Sequence, residues 1–415
     1  MKRAVTIISA IVLCFCLCLV IIAVAAKTPP SARLRNAESE QLTFDADGTF
    51  KIIQVADLQE FFLSSALSLE FIRDLAEKEQ PDLFVLTGDN IASGAAKIFP
   101  KFISRWLVKI SVNSFMKRFD KIYKDFGIPV TMVYGNHDNE ASQKKVSRAE
   151  QFAMYAAHPS FAGYYIPEAD EGTEDKDGQH YGTHNLVVKD SAGAAPVFNI
   201  WMFDSGSYDL TDGYSGVQSE QVKWFKKTNA ALGVPSIAFQ HIVVPEVFDA
   251  LTPAAETDEN TISQGFMENG EKVSKWFSKT LPAGTVGEVR EAPCPGMFNE
   301  GQYEALKDGG VKALFFGHDH VNSFELLLDG TDLINTPSAA FGSYGDIDIR
   351  GARIITVSQA DDYGYTSKHV TLQDYCASSK LQQSRLKMYH KLSLFAAVLD
   401  FFSFRPLLWI AGLFD

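Results

Sequence analysis

An α/β fold is predicted by three features of the chain. Short β-rich apolar runs recur along it, amphipathic segments of helical period separate them, and five of the runs stop abruptly at residues of metal-ligand type. The runs are KIIQVA, DLFVLT, PVTMVY, VFNIWMF, SIAFQ and KALFFG. Each has the length and the branched or aromatic content of a strand.

Taken in order, the chain opens with Lys2 and Arg3 and then an apolar run from Ala4 to Ala26. That run is long enough to cross a bilayer, and Ala23 and Ala25 form an A-x-A cleavage pattern. Residues 1–26 are therefore read as a signal peptide or a signal anchor. Either sends the rest of the chain across a membrane, so a secretory-pathway placement, membrane-anchored or secreted, is expected. A polar linker carrying Pro29-Pro30 fills 27–43 and runs into an expected hairpin, LTF then TFKIIQVAD, turned at Asp47-Gly48. The main folded domain is expected over 44–376. Within it, Leu67–Gln80 and Gln218–Leu232 read as amphipathic helices. Residues Ile98 to Phe126 form a long basic and aromatic helical insertion, with Trp106, Phe115 and Phe119 as its packed face. The stretch Phe161–His180 is loop-like, rich in Gly, Asp and Glu. Residues 377–415 form a helical tail expected to associate with a membrane. Its apolar part, Leu392 to Phe414, contains Asp400, Arg405 and Pro406, which fits a segment lying on a surface better than one spanning it.

Composition narrows the function. The 415 residues are 46% hydrophobic and 21% charged, as in a globular core rather than a disordered chain. A formal charge of −13 disfavours nucleic acid as a partner. It leaves room for a phosphorylated small molecule or a phosphoprotein, because bound cations reverse the field locally. Three of the five cysteines lie in the first apolar run; Cys294 and Cys376 form one bridge or remain two free thiols.

The residues after the runs carry the chemistry. KIIQVA leads to Asp57, DLFVLT to Gly88-Asp89-Asn90, PVTMVY to Gly135-Asn136-His137-Asp138, SIAFQ to His241, and KALFFG to His318-Asp319-His320. In open α/β sheets, sites form at the carboxyl ends of strands. Five such ends gathered there would surround one point with carboxylate, amide and imidazole groups. That donor mixture suits Zn, Mn, Fe or Mg rather than soft-metal chemistry. Two histidines at i, i+2 are awkward in a core and natural at a metal site.

With these motifs, and with MFDSGSY (Met202–Tyr208), APCPGMFNEGQYEAL (Ala292–Leu306) and GHDHVNSF (Gly317–Phe324), the sequence resembles the calcineurin-like metallophosphoesterases. More narrowly, it resembles the branch related to purple acid phosphatases. The resemblance covers roughly Phe50 to Thr371 and implies a four-layer fold, a two-sheet β sandwich flanked by helices. It also implies two divalent or trivalent ions, from among Fe, Mn, Zn and Mg. Asp57, the bridging Asp89 and His320 would hold the first; Asp89, Asn136, His241 and His318 would hold the second. His137 would act beside the leaving-group oxygen as the catalytic acid. Gln59 stands where the family usually has histidine. The purple acid phosphatases offset that loss with a tyrosine three residues after the bridging aspartate, a position held here by Ala92. The expectation is a binuclear phosphomonoesterase, with Gln59 as a weak or missing ligand. The alternatives are a phosphodiesterase of the same fold and a catalytically impaired membrane protein that binds phosphate ligands. Asn322, Asp204, Tyr208 and Arg353 are candidate pocket residues.

Overall fold

Successive residues of the central strands face different hydrophobic cores, and this alternation builds the layers. The computed structural model describes residues 42–61, 66–140, 146–210, 213–268, 271–296, 299–341, 343–376, 383–384 and 386–388. In the strand Thr49–Val55, Phe50 and Ile52 join one core while Ile53 and Val55 join another. Leu83 and Val85 divide from Phe84 and Leu86 in the same way. On the second sheet, Ala313 and Phe315 face inward, and Leu314 and Phe316 outward. Strands covered on both faces are apolar at most positions, which is why the runs show no regular polar alternation.

Two main sheets result. Five strands pair in the order Gly364–Thr371, Gly351–Ser358, Thr49–Val55, Leu83–Thr87, Val130–Val133, and the last three are mutually parallel. Seven strands pair in the order Leu42–Thr43, His184–Lys189, Pro196–Met202, Ser236–Phe239, Val311–Phe316, Thr331–Asn335, Glu325–Leu328. A shared core containing Phe50, Val85, Phe198, Phe239 and Phe315 lies between the sheets. Helices Ala66–Glu79 and Lys101–Phe126 cover the outer face of the first sheet, and Ser219–Leu232 and Gln302–Asp308 that of the second. This is the helix–sheet–sheet–helix sandwich that the resemblance implied.

The hairpin at Asp47-Gly48 does not form. The turn is present, with Asp45 N–H donating to Thr49 O at 2.8 Å. It joins strands of different sheets, however: Leu42–Thr43 runs parallel to His184–Lys189, pairing with Val188 and Lys189. Leu42 and Phe44 are buried in the inter-sheet core, and that burial outweighs local pairing across the turn.

The long insertion is a helix over Lys101–Phe126, ended by Gly127 in the left-handed conformation. Phe115 and Phe119 are buried and their rings meet edge-on, 5.2 Å apart, as the packed face required. Trp106 is half-buried against the same core. At the carboxyl end, Tyr375 closes onto helix Ala66–Glu79, its ring meeting Phe71 and its hydroxyl donating to Glu79 at 2.6 Å. Beyond it, Leu386 is buried in that core.

The membrane expectation is corrected. Among the described residues no helix is long and apolar enough to cross a membrane. The longest, Lys101–Phe126, carries Arg105, Lys109, Lys117, Arg118 and Lys121 among its charged residues. The segments on which the expectation rested, 1–26 and 392–414, lie outside the described residues. The signal or anchor, the membrane partner and the membrane-anchored or secreted placement are therefore not carried forward. Arg353 is likewise neither a surface residue nor a phosphate ligand. It is fully buried in its strand, bonded to Glu325, Thr336 and Ser367 and to the carbonyls of Ser323 and Asn335.

Candidate metal centre

The parallel strands of both sheets end on the same side, and the backbone there is bent hard. Asp57, Gln59, Asp89 and His318 all have positive φ, between 45° and 73°. Each such residue costs roughly 1–3 kcal/mol, a strain that collects at functional sites. The loops after the first two strands brace one another: Asp57 N–H donates to Gly88 O, Gln59 N–H to Asp89 O and Glu60 N–H to Asn90 O, at 3.1, 2.7 and 2.9 Å. Two glycines permit the approach. A Cβ on Gly88 would sit 2.7 Å from the His241 ring, and one on Gly135 only 2.3 Å from Asp89 Oδ1. Asp138 ties the second and third loops together, accepting from Ile91 N–H and Gly135 N–H at 2.9 and 2.8 Å.

The residues singled out in the sequence come together. Asp57, Asp89 and His320 are buried, and one ligand atom from each lies within 4.8 Å of the others, a group able to hold a metal ion. His320 Nδ1 donates to Tyr344 O at 3.0 Å, which aims Nε2 at Asp57 Oδ1, 3.3 Å away. Asp57 Oδ1 is buried and accepts no hydrogen bond. His241 is fixed in the same manner: Nδ1 donates to Thr87 O at 2.8 Å. Its Nε2 then presents a lone pair 3.1 Å from Asn136 Oδ1, 3.2 Å from His318 Nδ1 and 3.5 Å from Asp89 Oδ1. Anchoring one ring nitrogen on a carbonyl is how metal-binding imidazoles are oriented. Asn136 is oriented too, its Nδ2 donating to the Tyr208 hydroxyl at 3.1 Å.

Gln59 reaches the cluster but through the wrong end. Its Nε2 lies 3.3 Å from Asp89 Oδ2 and 3.4 Å from His320 Nε2. An amide nitrogen donates and cannot ligate; only a half-turn of the carboxamide would present its oxygen. His137 stands at the edge, about one-third exposed. Its N–H donates to Asp89 Oδ1 at 2.7 Å, its Nδ1 lies 3.2 Å from Glu140 and its Nε2 lies 3.8 Å from Asp89 Oδ2.

Electrostatics follow the packing. Burial works against the Asp57 carboxylate, yet His320 and His241 bring it below the ordinary range. Burial, then His241 alongside, pushes His318 well below an ordinary imidazole. Burial also disfavours a charged His137, but Asp89 and Glu140 outweigh it and raise the ring to about 9. Asp204 and Asn322 serve the loops: Asp204 accepts from Tyr181 N–H and Gly206 N–H, and Asn322 from Arg290 N–H and Glu291 N–H. Sequence reasoning missed Glu140, Tyr214 and Tyr344. Tyr214 meets the His318 ring edge-on and Tyr344 stacks on His320. None of the three belongs to a motif with recognisable spacing.

The sandwich, with a carboxylate–imidazole cluster at its strand ends able to hold a metal ion, defines an α/β protein of the phosphoesterase type. A family profile for calcineurin-like phosphoesterases matches residues 50–322, and the chain belongs to that family. It is 26% identical to a "Probable inactive purple acid phosphatase 29" of Arabidopsis thaliana, over 77% of this chain and 80% of that one. It is 24% identical to "Probable inactive purple acid phosphatase 28" of the same plant, over 75% and 76% of the two chains. Among solved structures, a dimetal phosphatase from Danio rerio aligns over 79% of this chain and 97% of its own, at 14% identity and a TM-score of 0.43.

Proposed function

We propose that this domain, spanning 44–376, binds phosphate esters through metal held at the strand ends and hydrolyses them slowly. The reading is that of a phosphate-ligand binder whose catalysis is impaired on one side. The observation that carries it is the amide of Gln59 at Asp89 and His320, where an imidazole would complete the cluster. The names of the two plant relatives, both "probable inactive", support the same direction.

The donors fit a divalent cation. They are buried, mix oxygen with nitrogen, and leave Asp57 Oδ1 and His318 Nε2 without hydrogen-bond partners. Asp57, Asp89 and His320 would hold one ion, with Gln59 contributing at most its amide oxygen. Asp89, Asn136, His241 and His318 would hold a second. When bound, such ions polarise phosphate oxygens and make water a nucleophile at neutral pH. The protein's own groups do the rest. Thr87 O and Tyr344 O fix the tautomers of His241 and His320, and Tyr208 turns the Asn136 oxygen inward. His137, kept protonated by Asp89 and Glu140, would hold its Nε2 proton for the departing oxygen.

The test is Gln59→His, assayed with phosphate monoesters and diesters in excess manganese. The proposal expects a gain of at least tenfold in kcat. A wild type already as fast as the variant would restore the full-rate phosphomonoesterase, or, if diesters are preferred, the phosphodiesterase.

A further inference from the structure

Three tyrosines border the imidazoles of the site. Tyr344 lies flat on His320, with ring centres 4.2 Å apart and planes within 4°. The carbonyl of the same residue accepts from His320 Nδ1 at 3.0 Å, so the tyrosine ring is placed wherever the imidazole is placed. Tyr214 meets His318 edge-on, at 4.3 Å and 84°. Tyr208 stacks behind Tyr214 at 5.5 Å and 25°. None of the three is a core residue. Tyr344 is 56% exposed, and Tyr208 and Tyr214 are half-buried. The Tyr344 hydroxyl donates to Glu291 at 3.0 Å, which pins the ring from its outer end.

We propose that Tyr344, aided by Tyr214, selects phosphate esters whose alcohol is an aromatic ring. The preferred ligand is an aryl phosphate monoester. This rests on the reading that the strand-end cluster binds the phosphate. With one face of Tyr344 on His320 and much of the ring exposed, an aromatic group joined to a phosphate in the cluster meets a rigid, flat partner. Offset or edge-on aromatic pairs add about 0.5–1.5 kcal/mol beyond the area they bury. An alkyl group gains only the area. Glu140 beside His137 and Glu291 on Tyr344 also favour an uncharged ring over a second phosphate.

The experiment is calorimetric and does not depend on turnover. The full chain, supplemented with manganese, is titrated with phenylphosphonate, propylphosphonate and inorganic phosphate. The expected result is phenylphosphonate binding about 3- to 10-fold tighter than propylphosphonate. That ratio falls to about one in Tyr344→Leu and is kept in Tyr344→Phe, which retains the ring. The ratio is the readout because damaged metal binding would weaken both phosphonates alike. Equal affinities in the wild type, or a ratio unchanged in both Tyr344→Leu and Tyr214→Leu, overturn the inference while leaving the phosphate site standing. If inorganic phosphate fails to bind as well, the proposed phosphate site itself falls and takes this inference with it. A phosphonate analogue of a phosphotyrosyl peptide separates the two sources of such a ligand. Binding tighter than phenylphosphonate supports a protein-borne ester; equal or weaker binding supports a small aryl ester.

Discussion

The two halves of the strand-end cluster are built to different standards. On the His241 side two donors are held from behind: His241 by Thr87 O, Asn136 by the Tyr208 hydroxyl. On the Gln59 side, His320 is held by Tyr344 O and Asp57 Oδ2 by the N–H of His318. There the remaining position is filled by an amide whose nitrogen faces the cluster. If both halves hold metal as proposed, a single side chain would lower the affinity of one half while the scaffold under both stays intact. The strain at Asp57, Gln59 and Asp89 is still present, as though the fold continued to present the site.

The comparison can be broken by removing what the halves share. Asp89 faces both His241 and Gln59, so Asp89→Ala should cost on the order of 100-fold or more in manganese affinity overall, measured by calorimetry. Survival of either binding phase in that variant would show that the halves do not share a ligand.

A second prediction concerns the scaffold beneath the intact half. His184 is buried against the strand that leads to Asn136, its Nδ1 donating to Gly182 O and its Nε2 accepting from Thr131. Burial lowers its pKa from 6.5 to about 4. Between those values the unfolded chain binds a proton that the folded chain refuses, so stability falls as pH falls through that window. The shift corresponds to about 3 kcal/mol. Urea unfolding of wild type and His184→Gln should show their difference moving by about that amount between pH 7 and pH 4. A constant difference would mean that His184 is not held neutral.

The halves can next be contrasted directly. His241→Ala should lower manganese affinity by about 10- to 100-fold, whereas Gln59→Ala should change it less than about threefold. Equal losses would make Gln59 a full ligand. An effect smaller than that of His241→Ala is expected for Tyr208→Phe, which frees the Asn136 amide to rotate. It should weaken manganese binding by up to about tenfold, with unfolding stability little changed.

Much of this was legible in the sequence, and for a definite reason. Strands buried on both faces leave mostly apolar runs, so an aspartate, asparagine or histidine just after each run stands out. Asp57, Asp89, Asn136, His241, His318 and His320 were all visible in that way. The exchange at Gln59 was visible as well, but the end of the amide that faces the cluster was not. Tyr344 and Tyr214 were invisible because an aromatic residue in a loop looks alike whether it packs on a core or on a ligand. The Asp47-Gly48 turn misled because a local hairpin signal cannot reveal that Leu42 and Phe44 gain more by entering the inter-sheet core.

The central claim is an intact half beside a weakened one, and a manganese titration tests it most directly. For the wild type the account predicts two binding phases whose affinities differ by at least about tenfold, merging to near-equal affinity in Gln59→His. Two equally tight phases in the wild type, or no change on placing histidine at 59, would contradict it.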